Sequence, residues 1–491
     1  MSTIRAAALV LLCVAAAGAV SQARAETLSE AIALAYETNP TLRAARANQR
    51  ATDEEYPQAR AGLHPTVQAL GTISYDQSKT AALAPGTQST SGAFVQFTQP
   101  VYTGGRVTNA MDAASADILA GREALRQTEI QLLQGVIKAY LDVRRDETQL
   151  DIEKESLELL KRQLDEANAR FDVGEATRTD TAQARARLAQ GQALLASAEA
   201  QLTTSRATYT AVIGQAPGDL APEPPISQLL PPNVDGALDA AARDNPQIVQ
   251  AAYAERASAA RLAAAKSAHL PSVQIQGSVG YAGGVTPFGL PASSPFSNFA
   301  RDVTVQATAT VPLYAGGLIA SEVRQAAERN NVDRITIDAA HRQVAQATSA
   351  AWSQLIAARA NVSAYQDQVD ANKIAYEGTR EEEQQDLRTT LDVLNAEQEL
   401  ENAKLALAGA QHDEYLAAAA VLAEMGALDV GIFAPSEPRY DPTDNFKHVR
   451  NAGGWTPLDP AVEAIDHVSP AAAPAPPSGA QPPAKSAPQT H

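Results

Sequence analysis

Pro100-Val101-Tyr102-Thr103-Gly104-Gly105-Arg106 and Pro312-Leu313-Tyr314-Ala315-Gly316-Gly317-Leu318 mark the two places where the hydrophobic period of the chain switches. Ahead of each, apolar residues alternate with polar ones, as on a strand. Behind each runs a long Ala-rich, Gly-poor stretch with helical spacing. Tyr102, Gly104 and Gly105, and likewise Tyr314, Gly316 and Gly317, are therefore read as strand-to-helix junctions, with the glycines as turn residues. A phosphate loop would need a following Lys-Ser/Thr, which neither copy has.

The two junctions belong to an internal duplication. Asn39-Pro40 and Asn245-Pro246 lie 206 residues apart, as do Leu63-His64-Pro65 and its counterpart around His269-Leu270-Pro271. After a loop six residues longer in the second copy, the offset is 212: Tyr102 pairs with Tyr314, Tyr140 with Trp352, Asp180 with Asp392 and Gly214 with Gly426. The expected organisation is a signal peptide over 1–25, a first repeat over 26–216, a Pro-rich linker over 217–232, a second repeat over 233–428, and a Pro/Ala-rich tail over 429–491 that is largely disordered.

The signal peptide rests on Arg5, the apolar run from Ala6 to Val20 and the Ala23-Arg24-Ala25 cleavage site, which sets Glu26 as the first mature residue. An uncleaved anchor is the alternative. Cys13, the single cysteine, falls inside this segment, so the mature chain carries no disulfide or thiol chemistry. Among 491 residues 45% are hydrophobic but only 5% aromatic, which favours long helices packed through small side chains over a bulky core. A net charge of -17 argues against nucleic acid and anionic membrane surfaces as partners. No later stretch approaches the ~20 apolar residues of a membrane helix, so a membrane crossing would be made by strands.

Each copy contributes a hairpin, with strands expected over 65–77 and 92–102, then 271–282 and 301–314. Val67, Ala69, Gly71, Ile73 and Tyr75 face one way and Thr66, Gln68, Leu70, Thr72 and Ser74 the other; Val303, Val305 and Ala307 alternate with Thr304, Gln306 and Thr308. A soluble sandwich alternates too. The nearly uncharged polar faces, the Tyr residues near strand ends, and lengths close to the ~9–11 residues that cross a tilted bilayer favour membrane strands. Four strands cannot close a barrel, since about 8 is the working minimum. Open edges are not tolerated in lipid, so several chains would have to share one barrel.

Between Gly104 and Phe171 there is no proline, which allows a helix about 100 Å long. It ends in a heptad stripe of Leu150, Leu157, Leu164 and Phe171. A return helix over about 178–213 carries Leu188, Leu195, Leu202 and Tyr209 with Ala184, Gly191, Ala198 and Ser205 as small partners. The second copy repeats this with Leu400 and Leu407 beside Ala396, Ala403, Ala410 and Ala417. Thr177-x-x-Asp180 and Thr389-x-x-Asp392 fit capping boxes at the starts of the return helices. Glu381-Glu382-Glu383 reads as a solvated face, and Trp455 as incidental. The seven histidines lack ligand spacing, and no catalytic constellation, metal site or cofactor motif is found.

These features, with Arg388-Thr389-Thr390-Leu391-Asp392-Val393-Leu394-Asn395-Ala396 after a helical hairpin, resemble the TolC family of outer-membrane export channels up to about Leu428. The resemblance implies a mainly α protein with a transmembrane β-barrel. Three chains would build one twelve-stranded barrel in outer-membrane lipid, continued across the periplasm by a twelve-helix α-barrel. Implied partners are a periplasmic adaptor (membrane-fusion) protein and an inner-membrane ABC or RND pump, for type I protein secretion or small-molecule efflux. It implies a gate at the periplasmic tip: Arg388 bonds Asp180 of a neighbouring hairpin, and Asp392 rings the aperture. The family's second acid is here Asn395, and the family's aromatic and Gly of the second tip are here Glu383 and Asp386. Val173, Gly174, Glu175, Asp386 and Leu387 would form the adaptor-docking tip. The rival reading is a periplasmic coiled-coil adaptor or scaffold with no membrane barrel.

Overall fold

The computed structural model describes residues 25–78, 86–283, 299–385, 387–435, 438–452, 454 and 456–467; for 77–78 and 86–89 it describes the backbone alone. The expected signal peptide with Cys13, the centres of both hairpin loops, Asp386, Trp455 and the tail beyond 467 lie outside the described residues.

In chain order, helices α1 (Leu28–Thr38), α2 (Pro40–Asp53) and α3 (Glu55–Arg60) lead into strands β1 (Thr66–Ser78) and β2 (Gly86–Tyr102). Helices α4 (Arg106–Asp172) and α5 (Arg178–Ile213) complete the first copy. The second copy runs through α6 (Val234–Asp244), α7 (Pro246–Ser267), β3 (Ser272–Gly283), β4 (Ala300–Thr310), α8 (Leu318–Glu383) and α9 (Thr390–Glu424). Three short helices follow: α10 (Val430–Phe433), α11 (Pro442–Val449) and α12 (Asp459–Asp466). All three stand in the 429–491 tail expected to be largely disordered, so its described residues up to 467 carry helical structure. The 217–232 stretch is also tied in: Glu26 pairs with Leu220 in a parallel bridge, and Ser227–Leu229 forms a 3-10 turn.

The described residues form two compact units, one drawn from the ranges 1–52, 118–253 and 334–446, the other from 53–117, 254–333 and 447–491. In the first, helix is specified locally by caps and then fixed by burial. Thr27 and Glu30 form a capping box at α1, as do Thr177 and Asp180 at α5 and Thr389 and Asp392 at α9. The core gathers Leu28, Ile32, Tyr140, Tyr209, Ile213 and Leu422. The Tyr140 hydroxyl donates to the carbonyls of Glu26 (2.9 Å) and Ala221 (2.6 Å), and the Tyr209 hydroxyl to Glu26 Oε1 (2.7 Å). On α5 the small residues Ala184, Gly191, Ala198 and Ser205 are buried, as are Leu202, Tyr209 and Ile213 towards its C-terminal end, while Leu188 and Leu195 stay half-buried. A Cβ on Gly191 would stand 2.8 Å from Leu160 Cδ1, so the close approach of α4 and α5 depends on its absence. Phe171, expected to end the heptad stripe, is exposed because it lies in the last turn of α4, beyond the packed seam.

The second unit holds one antiparallel sheet in the order β1-β2-β3-β4. Its register lines up the alternating faces across all four strands. Ala69, Val95, Val279 and Val303 form one cross-strand row and Val67, Phe97, Gly277 and Val305 another. Gln68, Gln96, Ser278 and Thr304 form a polar row between them. The apolar face is open: Val67 is 67% exposed and Val305 77%. Phe94 breaks the polar face, and Gly92 and Gly280 lack the side chains that would collide with its ring. β2 starts earlier than expected, since its Thr/Ser/Gly residues pair without apolar alternation. β4 stops at Thr310 rather than 314: Pro312 has no N–H to extend the ladder, so Tyr314 lies outside the strand.

Both junctions turn on left-handed glycines, Gly104 (φ 72°) and Gly105 (φ 80°), then Gly316 (φ 62°) and Gly317 (φ 84°). At the first, the Asp466 carboxylate of α12 accepts the Thr103 N–H at 2.6 Å. At the second, Leu313 and Tyr314 are about nine-tenths exposed.

Candidate functional site: the two hairpin tips

α4 and α5 meet over residues 173–177, and α8 and α9 over 384–389. At the first tip, Gly174 (φ 85°) lets the chain reverse, and the Glu175 N–H returns to the Arg170 carbonyl at 2.8 Å. Thr177 then opens α5. Its N–H and hydroxyl donate to Asp180 Oδ2 at 2.8 and 2.9 Å, and its Oγ1 accepts the Asp180 N–H at 3.3 Å. The second tip repeats this: the Thr389 N–H and hydroxyl reach Asp392 Oδ2 at 3.0 and 2.8 Å, and Oγ1 accepts the Asp392 N–H at 3.3 Å. Donation by the threonine N–H and hydroxyl holds both carboxyls below the usual range, with Arg388 a lesser influence on Asp392. Both acids thus cap helices, as their spacing suggested.

Arg388 is also engaged within its own tip. Its Nε donates to Glu382 Oε2 at 2.9 Å, and this pairing raises its pKa above the ordinary value. Glu383 is not part of a solvated face: it is buried and accepts from Arg170 at 2.8 Å, joining the end of α4 to the end of α8. Glu383 therefore makes an ionic link between the two hairpins of one chain. Asp180 and Arg388 both line a cleft of about 440 Å³ with Arg162, Tyr376 and Glu383. Within the chain each has its own partner rather than the other. Asn395 accepts from Arg187 at 3.1 Å, tying α9 to α5. Val173 and Leu387 are exposed apolar residues at the two tips, 71% and 70% open.

A few turns from the tip, sequence reading missed a cluster of carboxylates. Glu153 and Glu397 are both buried, and Glu401 lies beside them. Gln163 donates to Glu397 Oε2 at 2.9 Å, and Ser156 to Glu401 Oε2 at 3.0 Å, while Glu397 Oε1 has no hydrogen-bond partner. Burial is the main force raising the Glu397 carboxyl to about 7, with Glu401 adding to it against the Gln163 hydrogen bond. Burial and then Glu401 push Glu153 up as well. In sequence these are ordinary helix glutamates; only Glu397 standing three residues before Leu400, on the seam, could have signalled burial.

Among the described residues no group of His, Cys, Asp or Glu could hold a metal, and no helix is long and apolar enough to cross a membrane. The chain matches the outer membrane efflux protein family over residues 31–215 and again over 237–427. It is 32% identical over 429 residues to the outer membrane efflux protein BepC of Brucella suis, covering 87% of this chain and 91% of that one. It is 26% identical to the outer membrane protein TolC of Escherichia coli, over 83% and 84% of the two chains. The crystal structure of the outer membrane protein VceC from Vibrio cholerae superposes with a TM-score of 0.67 at 20% identity, over 81% of this chain and 96% of that one.

Proposed function

The chain belongs to the outer membrane efflux protein family, outer-membrane export channels with a periplasmic extension, and from that premise we propose how it forms and gates its duct. The observation that carries the reading is the sheet. Its apolar residues are in register across four strands and uncovered, and β1 and β4 each have one neighbour among the described residues. Lipid accepts such a face, but it does not accept the free edges. Three chains, each giving four strands, close a twelve-stranded barrel and leave the Thr, Gln and Ser face toward water. The helices continue the duct through the periplasm toward an adaptor and an inner-membrane ABC or RND pump. The adaptor docks on the tips at Val173, Gly174, Glu175 and Leu387, with Asp386 beside them.

The gate lies at the tips. Arg388 leaves Glu382 to bond Asp180 of the neighbouring chain, and Asp392 rings the aperture with Asn395 one turn further along α9. Two experiments test this. Single cysteines at Val303, Val305 and Ala307 should resist a soluble thiol reagent in membranes, while those at Thr304, Gln306 and Thr308 react; uniform labelling would rule out the barrel. In planar bilayers Arg388→Ser should raise resting conductance, and Glu382→Gln, which frees Arg388 for its neighbour, should lower it. Wild-type conductance in both variants would remove Arg388 from the gate and leave the barrel standing.

A further inference from the structure

Asp466 is withdrawn completely from solvent. Oδ1 accepts from the Thr103 N–H at 2.6 Å, the Thr103 hydroxyl at 2.9 Å and the Gly105 N–H at 3.3 Å. Oδ2 accepts from the Thr103 hydroxyl at 3.0 Å and, at the edge of hydrogen-bonding range, the Thr108 N–H at 3.4 Å. These donors converge because Gly104 and Gly105 are both left-handed and because α4, starting at Arg106, presents first-turn amides with no partner inside the helix. A carboxylate there also meets the positive end of a 67-residue helix.

The rest of α12 is built to bring that carboxylate in. Val462 packs with Leu63, Val107 and Met111. At the other end of α12, buried Asp459 accepts the Thr456 N–H at 3.0 Å and stands 3.5 Å from Arg60 and 3.4 Å from His64. Arg60, Leu63 and His64 precede β1, Thr103 follows β2, and Val107 and Met111 open α4. One short helix therefore touches the start of the hairpin, its end and the helix that leaves it. The second junction has the same glycine pair, yet among the described residues no carboxylate sits on its amides.

We propose that residues 456–467 are an internal clamp that fixes the direction in which β2 hands over to α4, and that Asp466 is its positioning residue. The clamp acts on one junction of the two. It holds the backbone by a bound carboxylate, where the second junction relies on glycine conformation alone.

The test is hydrogen exchange on the full chain in detergent, comparing peptides that report residues 103–108 with those that report 315–320. Asp466→Ala should accelerate exchange at 103–108 at least tenfold and leave 315–320 unchanged. Asp466→Asn, which keeps the shape but loses the charge and one acceptor, should give a smaller acceleration confined to the same peptide. Glu463→Gln, on the same helix, should exchange like the wild type. Unchanged exchange at 103–108 in Asp466→Ala overturns the clamp. Equal acceleration at both junctions also overturns it, because the effect is then global loosening. If Asp466→Ala does not accumulate as folded protein, the same outcomes are read from Asp466→Asn.

Discussion

The first strand-to-helix junction and the second share a tyrosine, a left-handed glycine pair and a long helix behind them, and they differ in what surrounds the turn. Around Gly104 the chain is crowded: a Cβ there would stand 2.9 Å from Leu270 Cβ and 3.1 Å from the Ser267 carbonyl oxygen. Around Gly316 nothing lies within 4 Å. Duplication preserved the backbone path because both copies need a left-handed reversal. It did not preserve the packing, because each copy meets different neighbours. The first junction needs glycine for conformation and for space; the second needs it for conformation alone, and its flank at Leu313 and Tyr314 is open.

That contrast can be broken by substitution. Gly104→Ala should lower stability by about 3 kcal/mol, combining the ~1–2 kcal/mol strain of a left-handed alanine with overpacking against Leu270 and Ser267. Gly316→Ala should cost only the strain, about 1 kcal/mol. Urea unfolding of the two variants in detergent would give this ordering, and equal losses would mean that the crowding at Gly104 relaxes freely.

The copies differ again on the return helices. Glu397 is buried on α9, and its equivalent at the 212 offset, Arg185, is exposed on α5. In the folded chain the Glu397 carboxyl titrates near 7, against an ordinary 4.5. Between those values the folded state binds a proton that the unfolded state has released, so stability falls as pH rises. The penalty is absent below about 4.5 and fully present above about 7. Glu397→Gln should therefore stabilise the protein by about 1–3 kcal/mol at pH 8 and by almost nothing at pH 4.5. A gain independent of pH would mean that Glu397 stays ionised throughout.

The capping boxes test where the copies should agree. Thr177→Ala and Thr389→Ala should each cost about 1 kcal/mol, since the bonds to Asp180 and Asp392 are nearly superimposable. A marked inequality, read from thermal melts, would mean that one threonine has a role beyond its cap.

Much of this architecture was legible because it rests on local rules. The change of period at Tyr102 and Tyr314, the glycine pairs, the two capping boxes and the small seam residues of α5 all declare themselves within a few positions. What escaped reading depended on distant partners or on composition that hides structure. β2 begins in Thr and Ser residues with no apolar alternation, so nothing local marked its start. α12 sits in a Pro/Ala-rich stretch. Its sequence Asp459-Pro460-Ala461-Val462 does carry a proline in the first turn, a helix-start signal that the surrounding composition masked. Glu383 looked like one of three solvated acids, because Arg170, which buries it, lies on the other hairpin.

The register between β2 and β3 bears on the order in which this chain can fold. Each hairpin closes between strands that are near in sequence, but Val95 meets Val279 only after the whole of α4 and α5 has been made and has doubled back. Non-local pairings of that kind are slow to form, since the closure entropy of the intervening chain must be met before the contact contributes anything. A two-stranded hairpin is only marginally stable in water, so each hairpin depends on that central pairing. Gly71, Gly92, Gly277 and Gly280 along the strands weaken the separate hairpins further, since each leaves a position without a side chain to pack. The sheet is therefore completed only when the intervening helices bring β2 and β3 together.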